Sequence, residues 1–383
     1  MVYNITRTSP IVFGVGAVEQ VGTKAKEHGC GKVMLVTDAG IKNAGIAAEV
    51  RKYLEAAGVG VVEYDKVPSD PPDNIIEEAA GIARSEQVDG VVGVGGGSVL
   101  DAAKGVNVLL TNPPPITNYY GVFTAKNPGK VLILLPTTSG TGSEVTAISV
   151  VTNSRTQKKS GVIGPYCMST VAIVDPALTV KMPPALTAGT GMDAFSHAAE
   201  ALTSGFANPV SGILAERAVE LIYKYLPVAV ENGDDMEARI NMSLASMLAG
   251  IAFNDALPHY GHAIAHTAGA HFHVHHGMVC GLALPVVLEF VADAVPEKVK
   301  IIARCMGLEV SDAISPQEAG RKVREAIQAF TARIGMKTFK DAGIAKADLE
   351  AIAADVLTDD CAAFGPKKIT VEDARKLLSE MYV

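Results

Sequence analysis

Positive charge is in deficit: 33 Lys and Arg stand against 41 Asp and Glu in 383 residues, a formal charge of −8 with neutral histidine. Neutralising a phosphate backbone needs a basic surface, so a dedicated nucleic-acid binder is excluded. Cysteine is sparse too. The five, Cys30, Cys167, Cys280, Cys305 and Cys361, are scattered and form no CxxC pair, which points to a reduced chain with neither a disulfide framework nor a thiolate metal cluster. Met1 to Val21 holds one Arg and no long apolar core, so no secretory signal is expected and the expected location is cytoplasmic. Internal repeats and low-complexity tracts are absent, and the 37 glycines are too irregular for collagen and too many for a coiled coil.

Charge is missing most conspicuously from Ala256 to Leu288, which contains no Asp, Glu, Lys or Arg but seven of the nine histidines. A membrane span needs about 20 predominantly apolar residues, and here the histidines, Pro258 and glycines interrupt every such window. The segment belongs to an unusual soluble fold, and imidazoles buried in it need partners.

With 48% hydrophobic residues there is material for two cores, and single cores rarely grow beyond about 250–300 residues. Val33 to Thr37, Val59 to Glu63, Val88 to Val94, Val131 to Leu135 and Val171 to Val174 read as strands, the longer runs in the style of a buried parallel sheet. Ile46 to Ala57 and Ile75 to Ser85 show helical spacing between them. Beyond Pro183-Pro184, Ala207 to Tyr225, Glu237 to Phe253, Pro316 to Ile334 and Val371 to Met381 read as helices. The expectation is an α/β dinucleotide-binding domain over 1–183 and an all-α domain over 184–383.

Three stretches of the first half carry ligand-type chemistry. Asp89 to Gly105 runs from a strand through Gly95-Gly96-Gly97-Ser98 into a helix, where exposed N–H groups can meet phosphate oxygens; the alternative is a tight turn with no ligand. Its match to the dinucleotide fingerprint is weak, and the acid at a strand end, Asp38, lies 57 positions before Gly95 rather than about 20 after it. Asp38 is either a helix N-cap or the residue that holds an adenosine ribose, in which case it repels a 2′-phosphate and favours NAD over NADP. Pro136 to Glu144 places five hydroxyl residues and two glycines after another strand, at the sheet edge where open α/β proteins bind ligands.

In the second half Asp193 and His197 are four residues apart, as are His262 and His266, so each pair shares a helical face. With His276 they can supply a ligand set of one carboxylate and up to three neutral imidazoles, with no thiolate, which suits Fe²⁺ or Zn²⁺ better than Mg²⁺ or Ca²⁺.

These motifs resemble the iron-containing (group III) alcohol dehydrogenases, the group that includes lactaldehyde reductase and 1,3-propanediol dehydrogenase. The resemblance runs nearly end to end, through PIVFGVGAVEQVG, GGGSVLDAAKG, PTTSGTGSEVT, AIVDPALT, GMDAFSHAAEA, AGIAFNDA and GHAIAHTAGAHFHVHHG. It implies a dehydroquinate synthase-like architecture with a cleft between the domains. It further implies metal ligands at Asp193, His197, His262 and His276, and His266 beside the nicotinamide as proton relay or packing partner. Cofactor residues follow at Asp38, Gly95, Gly96, Gly97, Ser98, Asp101, Thr137, Thr138, Thr141 and Lys159.

The expected activity is NAD(H)-linked interconversion of a short-chain alcohol and aldehyde on Fe²⁺, with Zn²⁺ possible, in a homo-oligomer. A metal- and NAD-dependent lyase and a non-catalytic metal binder are the alternatives. Where the family often has AFNNA, this chain has Asn254-Asp255; His275 replaces the usual proline, and Asp70 a common Asn. Glu200, Glu144 and Cys361 read as structural. Alternation of His271, His273 and His275 suggests one side of an extended segment, either facing an anionic substrate group or lying at the surface.

Overall fold

The computed structural model describes residues 2–3 and 5–383. The chain divides into two compact units, Arg7–Thr138 with Gly142–Lys181, and Met182–Val383 with Ser139–Thr141 and the N-terminal residues up to Thr6.

The first unit is built on six parallel strands: β1 (Ile11–Phe13), β2 (Lys32–Val36), β3 (Gly60–Tyr64), β4 (Gly90–Gly95), β6 (Val131–Pro136) and β9 (Val171–Val174), in the order β1-β9-β6-β4-β2-β3. Side chains alternate between its faces. Met34, Val36, Val91, Leu132 and Leu134 pack under α4 (Asp73–Ser85) and α5 (Gly97–Leu109). Val33, Leu35, Val92, Val94, Ile133 and Leu135 share the opposite layer with α1 (Val21–Glu27) and α3 (Ile46–Ala56). Burial on both faces is why these strands read as continuous apolar runs.

The neighbours of β2 are β3 on one side and β4 on the other. Strand order therefore reverses there, and the loops after β2 and β4 open at a switch point of the kind where α/β sheets take ligands. A smaller sheet of β5 (Gly121–Val122), β8 (Lys159–Ile163) and β7 (Ile148–Thr152) was not expected from the sequence.

Among the described residues the second unit has helices and no strand. Pro184 opens α6 (Pro184–Thr203) behind Pro183, and nearly all of its residues from Thr187 onward are buried, as befits a helix apolar on every side. Around it lie α7 (Pro209–Glu231), α8 (Met236–Ala256), α9 (Tyr260–Phe272) and α10 (His276–Val291). The chain continues through α11 (Pro296–Cys305), α12 (Pro316–Arg333), α13 (Lys346–Ala351), α14 (Ala353–Val356) and α15 (Val371–Glu380). No single helix among the described residues is long and apolar enough to cross a membrane.

The extended reading of the surplus histidines is corrected here. His271 lies in the last turn of α9 and pairs with Asp355 at 3.0 Å. His273 caps that helix in the left-handed region at φ 54°, so the period-two alternation of an extended strand does not apply.

Candidate active site

Two glycines bring the helices of the second unit together. A Cβ on Gly277, in the first turn of α10, would stand 2.0 Å from the Gly189 carbonyl oxygen of α6. A Cβ on Gly261, at the start of α9, would stand 2.0 Å from Glu200 Oε1. Without them α9 and α10 could not lie this close to α6, and the side chains below could not converge.

Asp193 and His197 project from one face of α6, His262 from α9 and His276 from α10. Asp193 Oδ1 lies 3.5 Å from His262 Nε2, 3.4 Å from His276 Nε2 and 3.7 Å from His197 Nδ1. The rings of His197 and His262 stack with centroids 4.3 Å apart. Four donors at about 2.1 Å from a tetrahedral ion stand about 3.4 Å from one another, so the separations of Asp193 Oδ1 from His262 Nε2 and His276 Nε2 suit a shared ion; those three residues have ligand atoms within 4.8 Å of one another, a group to which His197 does not belong. Asp193, His197 and His262 are buried. His197 Nδ1 and His262 Nε2 make no hydrogen bond among the described residues, although a buried ring nitrogen without a partner is costly. A divalent cation supplies what these nitrogens lack, and the donor set fits one.

Glu200, read from sequence as structural, belongs to this site. It is fully buried and accepts from His262 Nδ1 at 3.1 Å and from the His259 backbone N–H. A carboxylate on the far nitrogen of a metal-ligating histidine fixes its tautomer and aims the near one. The signal was present in the sequence, because 193, 197 and 200 fall on one helical face. His259, also buried, bonds Thr203 Oγ1 through Nε2 at 2.8 Å.

Burial disfavours charge throughout this cluster, and the charges resist it unequally. It opposes ionisation of Asp193, yet the surrounding histidines hold that carboxyl well below its ordinary range. Burial also opposes ionisation of Glu200, which His262 and His259 outweigh, bringing it to about 2. Desolvation drives His197 down to about 3. His262 would be driven down too, but Glu200 and Asp193 raise it to about 10.

Cys280 also enters this group. Its Sγ lies 3.5 Å from His276 Nε2 and 3.7 Å from Asp193 Oδ1, and ligand atoms of Asp193, His262, His276 and Cys280 all fall within 4.8 Å of one another. The sequence reading put no thiolate in the ligand set; the helical step from His276 to Cys280 brings a thiol beside it.

His266 stands beside this cluster. Its ring stacks on that of His276, centroids 5.4 Å apart, and its Nδ1 lies 3.0 Å from Asp359 Oδ2. Burial raises the Asp359 pKa but His266 draws it below the ordinary value, so the carboxylate accepts and the imidazole donates. His275 N-caps α10 and covers Gly189, while Asp255 accepts from the Thr6 N–H at 2.9 Å.

The sheet unit carries most of the other sequence-selected residues. Asp38 N-caps α2 (Ala39–Asn43), accepting from Ile41 N–H at 2.9 Å, so the capping role holds whatever else this carboxylate does. Gly96 is the N-cap of α5, whose helix begins at Gly97. Gly93 and Gly95 serve packing: their Cβ atoms would meet Ala103 at 2.8 Å and Val99 at 2.6 Å, so glycine lets α5 lie against its own strand. Thr137 N–H donates to the Gly95 carbonyl at 3.0 Å, linking the loops after β4 and β6.

Ser98 Oγ accepts from Asp70 N–H at 3.2 Å, and Asp70 binds Lys159 Nζ at 2.7 Å. Asp101 is engaged by protein: its carboxylate accepts from Ser143 Oγ at 2.7 Å and Val150 N–H at 3.1 Å. Thr138 lies beside Gly96, whose Cβ would stand 3.4 Å from its Cγ2. Thr141 is grouped with the helical unit.

The loops of the parallel sheet can take a dinucleotide, and the carboxylate–histidine cluster of the helical unit can take a metal ion. Comparison with known proteins makes that specific. Residues 8–176 match the family model for iron-containing alcohol dehydrogenase, and residues 187–382 match its C-terminal counterpart; the chain belongs to the iron-containing alcohol dehydrogenase family. It is 37% identical over 368 residues to the NAD-dependent methanol dehydrogenase of Bacillus methanolicus, covering 96% of each chain. It is 38% identical over 359 residues to the 1,3-propanediol dehydrogenase of Klebsiella pneumoniae, covering 93% of this chain and 92% of that one. The structure of an alcohol dehydrogenase from Oenococcus oeni superposes with a TM-score of 0.96 at 37% identity and full coverage of both chains.

Proposed function

We propose that the chain interconverts a short-chain alcohol and its aldehyde with NAD(H), with Asp193, His197, His262 and His276 holding Fe²⁺. The observation that carries this reading is the pair of buried, unbonded ring nitrogens, His197 Nδ1 and His262 Nε2, on a shared carboxylate oxygen. When bound, the ion supplies Lewis acidity to the substrate oxygen, and the nicotinamide supplies or takes the hydride.

The chain's own groups do the rest. Asp193 fixes the donors around one oxygen, and Glu200 keeps His262 Nδ1 occupied so that Nε2 faces the ion. With Nδ1 held by Asp359, His266 offers Nε2 to take the alcohol proton in oxidation and return it in reduction. Gly95, Gly96, Gly97 and Ser98 at the start of α5, with Thr137, Thr138 and Thr141, bind the pyrophosphate and nicotinamide half of NAD. Asp38 takes the adenosine ribose and Lys159 flanks it. Asp101 acts indirectly, by tying α5 to β7 and the Ser143 turn. In this reading 1–183 serves the dinucleotide and 184–383 the metal, and family likeness supports a cytoplasmic homo-oligomer.

The test is anaerobic purification with metal analysis, followed by oxidation of NADH and NADPH against a panel of short aldehydes. Iron-dependent turnover with NADH is the expected result. A clear preference for NADPH would remove the role given to Asp38, and no turnover with any aldehyde would remove the reaction.

A further inference from the structure

The corner where β2 and β3 end holds more charge than the reading of Asp38 uses. Val36 pairs with Tyr64, and Thr37 N–H donates to the Tyr64 carbonyl at 2.9 Å, so Asp65 and Lys66 leave the sheet beside Asp38. Lys42 stands one helical turn beyond Asp38, its backbone N–H bonded to the Asp38 carbonyl at 3.0 Å. Residues four apart on a helix are neighbours, which makes Lys42 the cation best placed to meet a phosphate carried on a ribose at Asp38.

That lysine is committed elsewhere. Its Nζ lies 2.5 Å from Asp65 Oδ2 and 3.0 Å from Glu63 Oε1. Arg51 of α3 holds the other oxygen of Glu63 at 2.6 Å, so Asp65 is the carboxylate that Lys42 does not share with Arg51. Lys66 is bound in the same way, by Glu78 of α4 at 2.8 Å. Lys42 is exposed and Asp65 only partly buried, and ion pairs of that kind contribute little to stability. Their effect on the local charge is larger: both lysines of the corner are neutralised by acids of the protein.

A site that accepts a 2′-phosphate presents a cation to it, and one that takes the bare ribose presents a carboxylate. We propose that Asp65 is a second determinant of the preference for NAD over NADP, a positioning residue that holds Lys42 against β3 and so denies a 2′-phosphate its counter-charge. Asp38 repels the phosphate directly; Asp65 removes the group that would bind it. The inference rests on the placement of the adenosine ribose at Asp38 and adds to it a residue that acts through Lys42.

Binding of NADH and NADPH tests both and separates them. Each dinucleotide is titrated into the full chain and its Kd read from nicotinamide fluorescence, for the wild type, Asp38→Ser, Asp38→Ser/Asp65→Ala and Asp38→Ser/Asp65→Ala/Lys42→Ala. Serine keeps an oxygen for the Ile41 N–H and removes the charge. The wild type is expected to prefer NADH, and Asp38→Ser to lose part of that preference. Removing Asp65 as well should tighten NADPH relative to NADH by a further factor of at least about ten, the lower end of what a hydrogen bond to a charged group contributes. Loss of Lys42 in the triple variant should abolish that further gain.

A wild type that prefers NADPH, or an unchanged NADPH-to-NADH ratio in Asp38→Ser, would overturn the ribose placement and the inference with it. A changed ratio in Asp38→Ser with no further change on removing Asp65 would overturn the inference alone, as would a further gain that survives the loss of Lys42. Should the Asp65→Ala chain not fold, Asp65→Asn keeps the side chain's shape, removes its charge and carries the same comparison.

Discussion

Around Lys104 in the sheet unit and around His262 in the helical unit, ionisable side chains are buried to nearly the same degree, 0% and 2% exposed. Their partners differ. Lys104 Nζ donates to Thr146 Oγ1 at 3.1 Å and the Ile148 carbonyl at 2.6 Å, with Asp101 at 3.9 Å, and Asp101 in turn accepts from Ser143 and Val150. His262 is satisfied on Nδ1 and left open on Nε2. A buried cluster whose groups satisfy one another is a tether between elements; one with open donor atoms facing a common point is a binding site.

The contrast can be broken at either end, and the largest effect belongs to the tether. Replacing Lys104 with Met strands two buried acceptors, Thr146 Oγ1 and the Ile148 carbonyl. It should cost about 3–5 kcal/mol of stability, as leaving two buried acceptors without a donor does. Denaturant unfolding measures that loss, while the metal content of the surviving folded fraction should stay at the wild-type level. A drop in metal stoichiometry would mean the two clusters are not separate.

Glu144 gives a smaller effect with a pH signature. Burial raises its carboxyl from 4.5 to about 7, against its own backbone N–H and Lys104, which pull it down. The folded protein thus keeps this proton where the unfolded chain has lost it. Stability attributable to Glu144 is therefore full below 4.5, declines as pH rises towards 7 and stays lost above it. Glu144→Gln should remove that decline, a gain of at most about 3 kcal/mol above pH 7, seen as a flatter plot of Tm against pH.

Glu200→Gln comes next. It keeps the shape beside Gly261 but weakens the acceptor for His262 Nδ1, so metal affinity should fall about 10- to 100-fold, or about 1.4–2.7 kcal/mol, with the fold retained. Competition with a calibrated chelator reads this directly. Unchanged affinity would make Glu200 a purely structural neighbour.

The layered sheet was legible because burial on both faces writes uninterrupted Val, Leu and Ile runs. The helical unit was legible from long helical segments beyond Pro183-Pro184. The three-stranded β5-β8-β7 sheet was not. Its strands are short and only partly buried, and β7 is fastened by Lys104, Asp101 and Ser149, contacts distant in sequence that leave no local pattern.

The convergence of Asp193, His197, His262 and His276 could be anticipated from spacing and resemblance. The parts of Glu200 and Cys280 were hidden, although each lies at a helical step from one of those residues. Without the crossings at Gly261 and Gly277, spacing alone does not reveal which helix faces meet. Gly93 and Gly95 carried the converse lesson: glycine beside a phosphate-type loop can be required by the helix behind it.

The central claim is that the open nitrogens of the helical unit mark a metal centre. It is tested most directly by counting divalent ions per chain in the anaerobically purified wild type and in His262→Ala. One tightly held ion per wild-type chain, absent from a folded His262→Ala chain, is the predicted result. An equal ion count in the two, or no ion in the wild type even after anaerobic loading, would contradict it.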